Sequence, residues 1–274
     1  MLKILATSDF SDASKHALRY AIKITENIQG EIVLLNVVYM DGPPAASMSS
    51  MLLESMKTKA YFKFQEFAES LDSEFGRKLN LQLRVEIGYP VARIIEKVAQ
   101  EENVELIVLG RKGLTGLEKV FIGSVAAHVA MNSKYPVLLV PAKAELKPVK
   151  KMVDACDLYQ TEEEFETVTY FASKLNATIT MLHIFSDEEQ RNKNNFTELA
   201  STMQEKFHTH NFNYASEVNS NVVEGIEHYL QNNSTDMLVV FTHKRLFYER
   251  LFNRSVTKEL ANEIDIPVLV LKAI

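Results

Sequence analysis

The residues with the clearest chemical potential are glycines and their neighbours. Gly110-Arg111-Lys112-Gly113 is followed, after nine intervening residues, by Gly123-Ser124. The run starts directly after the apolar stretch Leu106–Leu109 and ends where a helical pattern opens. A loop that leaves a strand in this way can turn its backbone N–H groups onto an anion. Glycine helps because no Cβ blocks a close phosphate and positive φ costs it little. Ser124 adds a hydroxyl donor at the start of the next helix, where N–H groups without intrahelical partners favour negative charge. Arg111, Lys112 and Lys119 supply positive charge nearby. The plainer reading is a structural turn with three solvent-facing cations. The spacing is neither the P-loop with its Gly-Lys-Ser/Thr end nor the dinucleotide G-x-G-x-x-G pattern. A second candidate is Asp9, in Thr7-Ser8-Asp9-Phe10-Ser11 at the end of the first apolar run. Its carboxylate could accept hydrogen bonds from an adenine amino group or a sugar hydroxyl. It could equally cap or turn the chain, as could Ser11 or Asp12.

Other titratable residues form no catalytic constellation. His208 and His210 are close in sequence, but no acidic or cysteine partner stands at metal-ligand spacing. Glu224 and His228 lie four apart on an expected helix and read as a surface pair. Ser124 is not embedded in a G-x-S-x-G elbow. Cys156 is the only cysteine; it reads as a core thiol at the end of a buried strand.

The elements that must hold Asp9 and the glycine loop alternate between strand and helix. Expected strands are Lys3–Ser8, Glu31–Val37, Leu81–Glu86, Glu105–Leu109 and Pro136–Val140. Continuous apolar runs such as Ile32-Val33-Leu34-Leu35 suit strands buried on both faces of a parallel sheet. Expected helices are Asp12–Thr25, Met51–Leu71, Val91–Gln100, with Pro90 suited to its start, and one opening over Gly123–Met131. The order then repeats. Strands are expected near Met152–Cys156, Ala177–Ile184, Phe212–Glu217, Asp236–Phe241 and Pro267–Leu271. Helices are expected near Glu162–Ala172, Asn195–His208, Val222–Gln231 and Ser255–Glu263.

This is a duplication. At one fixed spacing Glu86 falls on Glu217, Ile95-Glu96 on Ile226-Glu227, Ser124-Val125 on Ser255-Val256 and Pro136-Val137-Leu138 on Pro267-Val268-Leu269. Lys3–Asp9 also lies over Lys151–Asp157, at a different spacing, so the first copy is longer between Val38 and Asn80. The fold class is α/β: two tandem open, mostly parallel five-stranded sheets flanked by helices, Rossmann-like. The domains are expected at 1–143 and 148–274, joined through the stretch Ala142–Val149.

Taken together, these motifs resemble the universal stress protein family. Its ATP-binding subgroup carries Gly, two residues, Gly, nine residues, Gly-Ser/Thr, which Gly110, Gly113, Gly123 and Ser124 match. Ile4–Leu18, Leu34-Leu35-Asn36-Val37, Gly88-Tyr89-Pro90 and Ser133–Pro141 resemble other family segments. The resemblance implies that Asp9, with Thr7 and Ser8, meets adenosine, and that the Val37 backbone meets adenine. It assigns Gly110, Gly113, Gly123, Ser124 and Val125 to the ribose and phosphates, with Arg111 and Lys112 at variable positions of the loop. ATP or another adenine nucleotide is the implied ligand, with Mg2+ held mainly through its phosphates. The second copy departs: Gly110, Gly113 and Gly123 fall on Phe241, Lys244 and Arg254, and only Ser255 is kept over Ser124. The standard ATP mode is therefore expected in the first copy alone. The basic run His243-Lys244-Arg245, with Arg250 and Arg254, reads as a solvated edge.

A formal net charge of -6 leaves no global field to draw the chain to nucleic acid. No apolar run approaches the roughly 20 residues that cross a membrane. The lone cysteine and the absence of a signal-peptide pattern fit a cytoplasmic protein. The expected function is nucleotide-dependent regulation or stress protection through conformation or association, with at most slow ATP hydrolysis. The alternatives are a nucleotide-independent interaction module and a weak ATPase or adenylate-forming enzyme. A homodimer and an unidentified protein partner are the expected associations.

Overall fold

The computed structural model describes residues 1–26, 28, 30–40, 50–111, 123–156, 161–193, 196–206, 212–242 and 264–272. These fall into two compact units, the first built from Met1–Arg111 and Gly123–Ala142, the second from Lys143 onward. The first unit runs β1 (Lys3–Thr7), α1 (Asp12–Thr25), β2 (Glu31–Tyr39), α2 (Ser50–Glu74), β3 (Leu81–Gly88), α3 (Val91–Glu101), β4 (Leu106–Arg111), α4 (Ser124–Asn132), β5 (Val137–Pro141). Its strands lie in the order β3-β2-β1-β4-β5, and every pairing is parallel. Ile4, Leu5, Val33, Leu34, Leu35, Ile107 and Val108 are fully buried, as strands covered on both faces require. Helix α1 starts because Ser11 accepts the Ser14 N–H in an extended N-cap conformation. Its Ala17, Leu18, Ala21 and Ile24 then face the sheet.

The second unit runs β6 (Lys151–Ala155), α5 (Glu162–Leu175), β7 (Thr178–Phe185), α6 (Glu188–Lys193), α7 (Phe196–Lys206), β8 (Phe212–Val218), α8 (Val222–Asn232), β9 (Met237–Phe241), β10 (Val268–Leu271). The strand order is β10-β9-β6-β7-β8, again all parallel. Thr161 and Glu164 close a reciprocal capping box on α5. Its core gathers Cys156, Phe165, Met181, Phe185 and Met203, with Phe212 and Val218 packed against them.

Two differences from the sequence expectation have physical causes. Strands β2 and β3 extend past Val37 and Glu86 because the ladder continues through Val38↔Ile87 and Tyr39↔Gly88. The single helix expected over Asn195–His208 is preceded by a second, α6, whose sequence Glu-Glu-Gln-Arg-Asn-Lys has no apolar period to reveal it. Pro90 stands at the start of α3 as its N-cap, as expected, after a cis Tyr89–Pro90 peptide. The expected helix Ser255–Glu263 lies outside the described residues.

The start of β6 is pinned by one carboxylate. Asp236 accepts the N–H groups of Lys150 and Lys151, both at 2.9 Å, and the Lys147 ammonium at 3.1 Å. Burial alone would raise the Asp236 carboxyl, but the Lys150 N–H, the Lys147 ammonium and the Lys151 N–H outweigh it and hold it below its ordinary value. A depressed folded-state pKa stabilises above the unfolded value of about 3.9, and that contribution is lost as pH falls through the folded value. Asp236→Asn keeps the shape and removes the charge. It is expected to cost about 1.5 kcal/mol at pH 7, with the gap to wild type closing below about pH 4. Urea unfolding at both pH values checks this; an equal gap at both would show that the charge is not what matters.

Candidate functional site

The chain leaves β1 toward β2 and β3 on one side, then crosses back to β4 on the other. That reversal between β1 and β4 is a topological switch point, where a crevice opens outside the carboxyl ends of the strands. Thr7 is the half-buried last residue of β1, opposite Leu35. Ser8 and Asp9 follow it, Gly110 and Arg111 end β4, and Val37 stands half-buried on β2.

Hydrogen bonds shape the turn after β1. The Ser8 N–H continues the ladder to the Leu35 carbonyl at 2.9 Å. Ser8 Oγ accepts the Phe10 N–H at 3.2 Å and lies 3.3 Å from Ser14 Oγ. Asp9 is exposed, and its Oδ1 accepts the Ser11 N–H at 3.0 Å. Partial burial raises the Asp9 carboxyl, yet the Ser11 hydroxyl and N–H and the Ser14 hydroxyl hold it below the usual carboxylate range. It is ionised at neutral pH, and a carboxylate accepts up to about four hydrogen bonds, so capacity for a ligand donor remains. The turn and ligand readings of Asp9 are therefore compatible.

Phe10 carries a left-handed φ of 65°. Its ring meets Phe64 and Phe67 edge-on at 5.7 and 5.9 Å, and Lys63 Nζ lies 4.3 Å from its centroid. The carbonyl of Ser8 accepts the Asn36 side-chain amide at 2.8 Å. Neither Phe10 nor Asn36 stood out in the sequence as a site residue. The signal for Asn36 was a polar residue inside an otherwise apolar buried run; a non-glycine residue at positive φ leaves no comparable signature.

The glycine loop is partly outside the described residues, which omit Lys112, Gly113 and Lys119. At Gly110 the structure adds a packing reason for glycine. A Cβ there would lie 2.5 Å from the Ala13 carbonyl oxygen and 2.7 Å from its carbon, so the residue makes room for the first turn of α1. Its φ is not left-handed. Arg111 is buried at the end of β4, opposite Pro141, and is not a solvent-facing cation. Gly123 is the N-cap of α4 at φ -57° and ψ 144°, with no side-chain cap. Ser124 opens α4 and is exposed, and Val125 beside it is half-buried. Side chains cap α1 through Ser11, α5 through Thr161 and α8 through Asn221. Among the described residues, neither Gly123 of α4 nor Pro90 of α3 supplies such a cap, and first-turn N–H groups left in this way can receive an anion.

The second unit differs at the equivalent point. Its order reverses between β6 and β9, and the flanking residues are Cys156 and Phe241, both buried. Phe241 pairs with Leu271 as Gly110 pairs with Val140, so a phenyl group stands where the first unit has no side chain. Asn219, over Gly88, accepts the Asn221 N–H at 2.8 Å, whereas Gly88 has a φ of 148°. Asp157, Lys244, Arg254 and Ser255, with the basic run 243–245 and Arg250, lie outside the described residues, as do His208 and His210. His228 pairs with Glu217 at 3.2 Å, while Glu224 accepts the Asn221 amide.

Comparison with known proteins agrees with this architecture. The pattern of the universal stress protein family matches residues 1–141 and 161–272. The chain belongs to the universal stress protein family, in tandem form. Among its relatives is universal stress protein MJ0531 of Methanocaldococcus jannaschii, 34% identical over 144 residues, 50% of this chain and 81% of the relative. Universal stress protein MJ0577 of the same organism is 30% identical over 155 residues, 52% of this chain and 95% of the relative. A crystal structure of a universal stress protein from Archaeoglobus fulgidus covers 98% of both chains with a TM-score of 0.75 at 17% identity, a likeness of fold.

Proposed function

We propose that the first unit binds one adenine nucleotide, ATP foremost, and that the chain acts as a nucleotide-dependent regulatory or stress-protection protein. The observation that carries this reading is the switch point itself. An ionised Asp9 stands in the turn after β1, and α4 opens beside the glycine loop with a glycine N-cap that offers no side-chain cap. A carboxylate suits the donors of a nucleoside, and an uncapped helix start suits its phosphates. The resemblance of the glycine spacing to the ATP-binding subgroup supports the same ligand. Magnesium would enter with the phosphates, which supply its oxygen ligands. The loss of all three loop glycines in the second copy, to Phe241, Lys244 and Arg254, argues for one nucleotide per chain rather than two.

Binding rather than turnover is the role we assign. A general base works best with a pKa near the operating pH, and Asp9 is displaced downward, away from it. The ligand would instead order the loop between β4 and α4 and alter a surface read by a protein partner or a second copy of the chain. No described helix is long and apolar enough to cross a membrane. We place the protein in the cytoplasm, where its single buried thiol, Cys156, stays reduced.

Titration with a fluorescent ATP analogue, with and without magnesium, tests the reading, and native mass spectrometry counts ligands per chain. Saturable binding of one equivalent is expected. No binding at millimolar nucleotide would sink it, and two equivalents would refute the closed second site.

A further inference from the structure

The two units end their first strands with the same device, built from different residues. In the first, the Ser8 N–H donates to the Leu35 carbonyl at 2.9 Å, and the Ser8 carbonyl accepts Asn36 Nδ2 at 2.8 Å. In the second, the Cys156 N–H donates to the Leu182 carbonyl at 3.0 Å, and the Cys156 carbonyl lies 2.9 Å from His183 Nδ1. A carbonyl only accepts, so His183 carries its proton on Nδ1 and acts as the donor that Asn36 is in the first unit. Both donors follow directly on the strand residue that takes the N–H: Asn36 after Leu35, His183 after Leu182. The shared feature is a side-chain N–H on the second strand aimed at the carbonyl of the residue that follows the first. It is independent of whether that donor is an amide or an imidazole.

The geometry gives this donor a task at the site. Ser8 and Asn36 are both buried, and a buried carbonyl at the end of a ladder requires a donor. The Ser8 carbonyl belongs to the peptide that joins Ser8 to Asp9, so the Asn36 bond fixes the plane from which Asp9 projects. The next residue, Phe10, is held at a φ of 65°, a conformation that persists only when its surroundings over-determine it. Its N–H is tied to Ser8 Oγ and its ring to Phe64 and Phe67. Asn36 adds a side-chain constraint from β2, beside the Ser8 N–H bond to Leu35, to those from the turn and α2.

We propose that Asn36 is a positioning residue for nucleotide binding, setting the Ser8–Asp9 peptide so that the Asp9 carboxylate faces the ligand, and that any N–H donor of similar reach can replace it, as His183 does in the second unit. This rests on the adenine-nucleotide reading above. The test measures the affinity of the full chain for a fluorescent ATP analogue alongside thermal midpoints, for wild type, Asn36→Ala, Asn36→His and Asn36→Asp. Asn36→Ala is expected to bind about tenfold more weakly, the scale of one lost buried hydrogen bond. Asn36→His is expected to return to within about threefold of wild type. In Asn36→Asp an ionised carboxylate would face the Ser8 carbonyl, so its affinity relative to wild type should fall as pH rises and recover as the acid is protonated. If Asn36→Ala does not fold, the comparison of Asn36→His with Asn36→Asp decides. Wild-type affinity in Asn36→Ala, a folded Asn36→His no better than Asn36→Ala, or an Asn36→Asp that binds like Asn36→His at pH 7 overturns the assignment. Failure of the wild type itself to bind refutes the functional reading first, so the two failures are distinguishable.

Discussion

Gly110→Ala is expected to destabilise the first unit by about 2–3 kcal/mol, the upper part of the range for overfilling a packed site. The added methyl would meet the Ala13 carbonyl oxygen at 2.5 Å, its carbon at 2.7 Å and the Ser14 nitrogen at 3.0 Å. All three are backbone atoms, so no rotamer change relieves the contact. Either α1 lifts from β4 or β4 bends. Helix α1 packs closely on β4, whereas α5 touches β9 far more sparingly, and it is β9 that ends in Phe241. The side chain tolerated at the end of β9 is thus excluded at the end of β4. Urea unfolding checks the prediction, with hydrogen exchange in α1 to assign the loss to the first unit, since two units need not unfold as one transition. An unchanged midpoint would show that α1 yields freely. A second consequence follows from Ser14, whose Oγ accepts from Ser11 Oγ and lies 3.3 Å from Ser8 Oγ. Displacing the start of α1 disturbs the turn that carries Asp9, so nucleotide affinity should fall together with stability.

Gly110 also shows where sequence reasoning reaches its limit. That a glycine ends β4 at a strand-to-loop junction was legible, and so was its replacement by phenylalanine in the second copy. Which atoms crowd it was not, because the crowding comes from Ala13, far away in the chain. Helix α1 was read to its observed ends, Asp12 and Thr25, since cap, period and length all agreed. Helix α6 was missed because a short polar turn has neither period nor apolar face. Arg111 illustrates the opposite error. Charged residues are almost never fully buried unless paired, so a surface position was the sensible expectation. In the structure β4 runs one residue past Gly110, Arg111 stands opposite Pro141, and its side chain is buried. The duplication was visible as matched residues, yet the equivalence of Asn36 and His183 required the hydrogen bonds, because the two residues share a donor and not a name.

Gly123→Asp is expected to separate stability from binding most sharply. The residue occupies φ -57° and ψ 144°, which any L-residue adopts, and it is already the N-cap of α4. Aspartate is among the best N-cap residues, a few tenths of a kcal/mol better than glycine, and its negative charge suits the positive end of the helix dipole. Thermal stability should therefore hold or rise slightly. The carboxylate would then occupy the N–H groups that the proposed phosphates need, and it would repel them. Two unit charges about 4 Å apart near a protein surface interact by roughly 4 kcal/mol. Even half of that, with the lost N–H donors, amounts to an affinity loss of about 100-fold or more for ATP. Gly123→Ser supplies the cap without the charge and should lose only about tenfold, the share owed to the occupied donors. Adenosine has no phosphate to repel, so its affinity should be the same in wild type and Gly123→Asp. Competition binding with ATP and adenosine, read beside the thermal midpoints, makes the distinction. Equal ATP affinity in the folded variant would remove the phosphates from the start of α4. Equal loss for ATP and adenosine would mean that the substitution acts through the shape of the pocket and not through its charge.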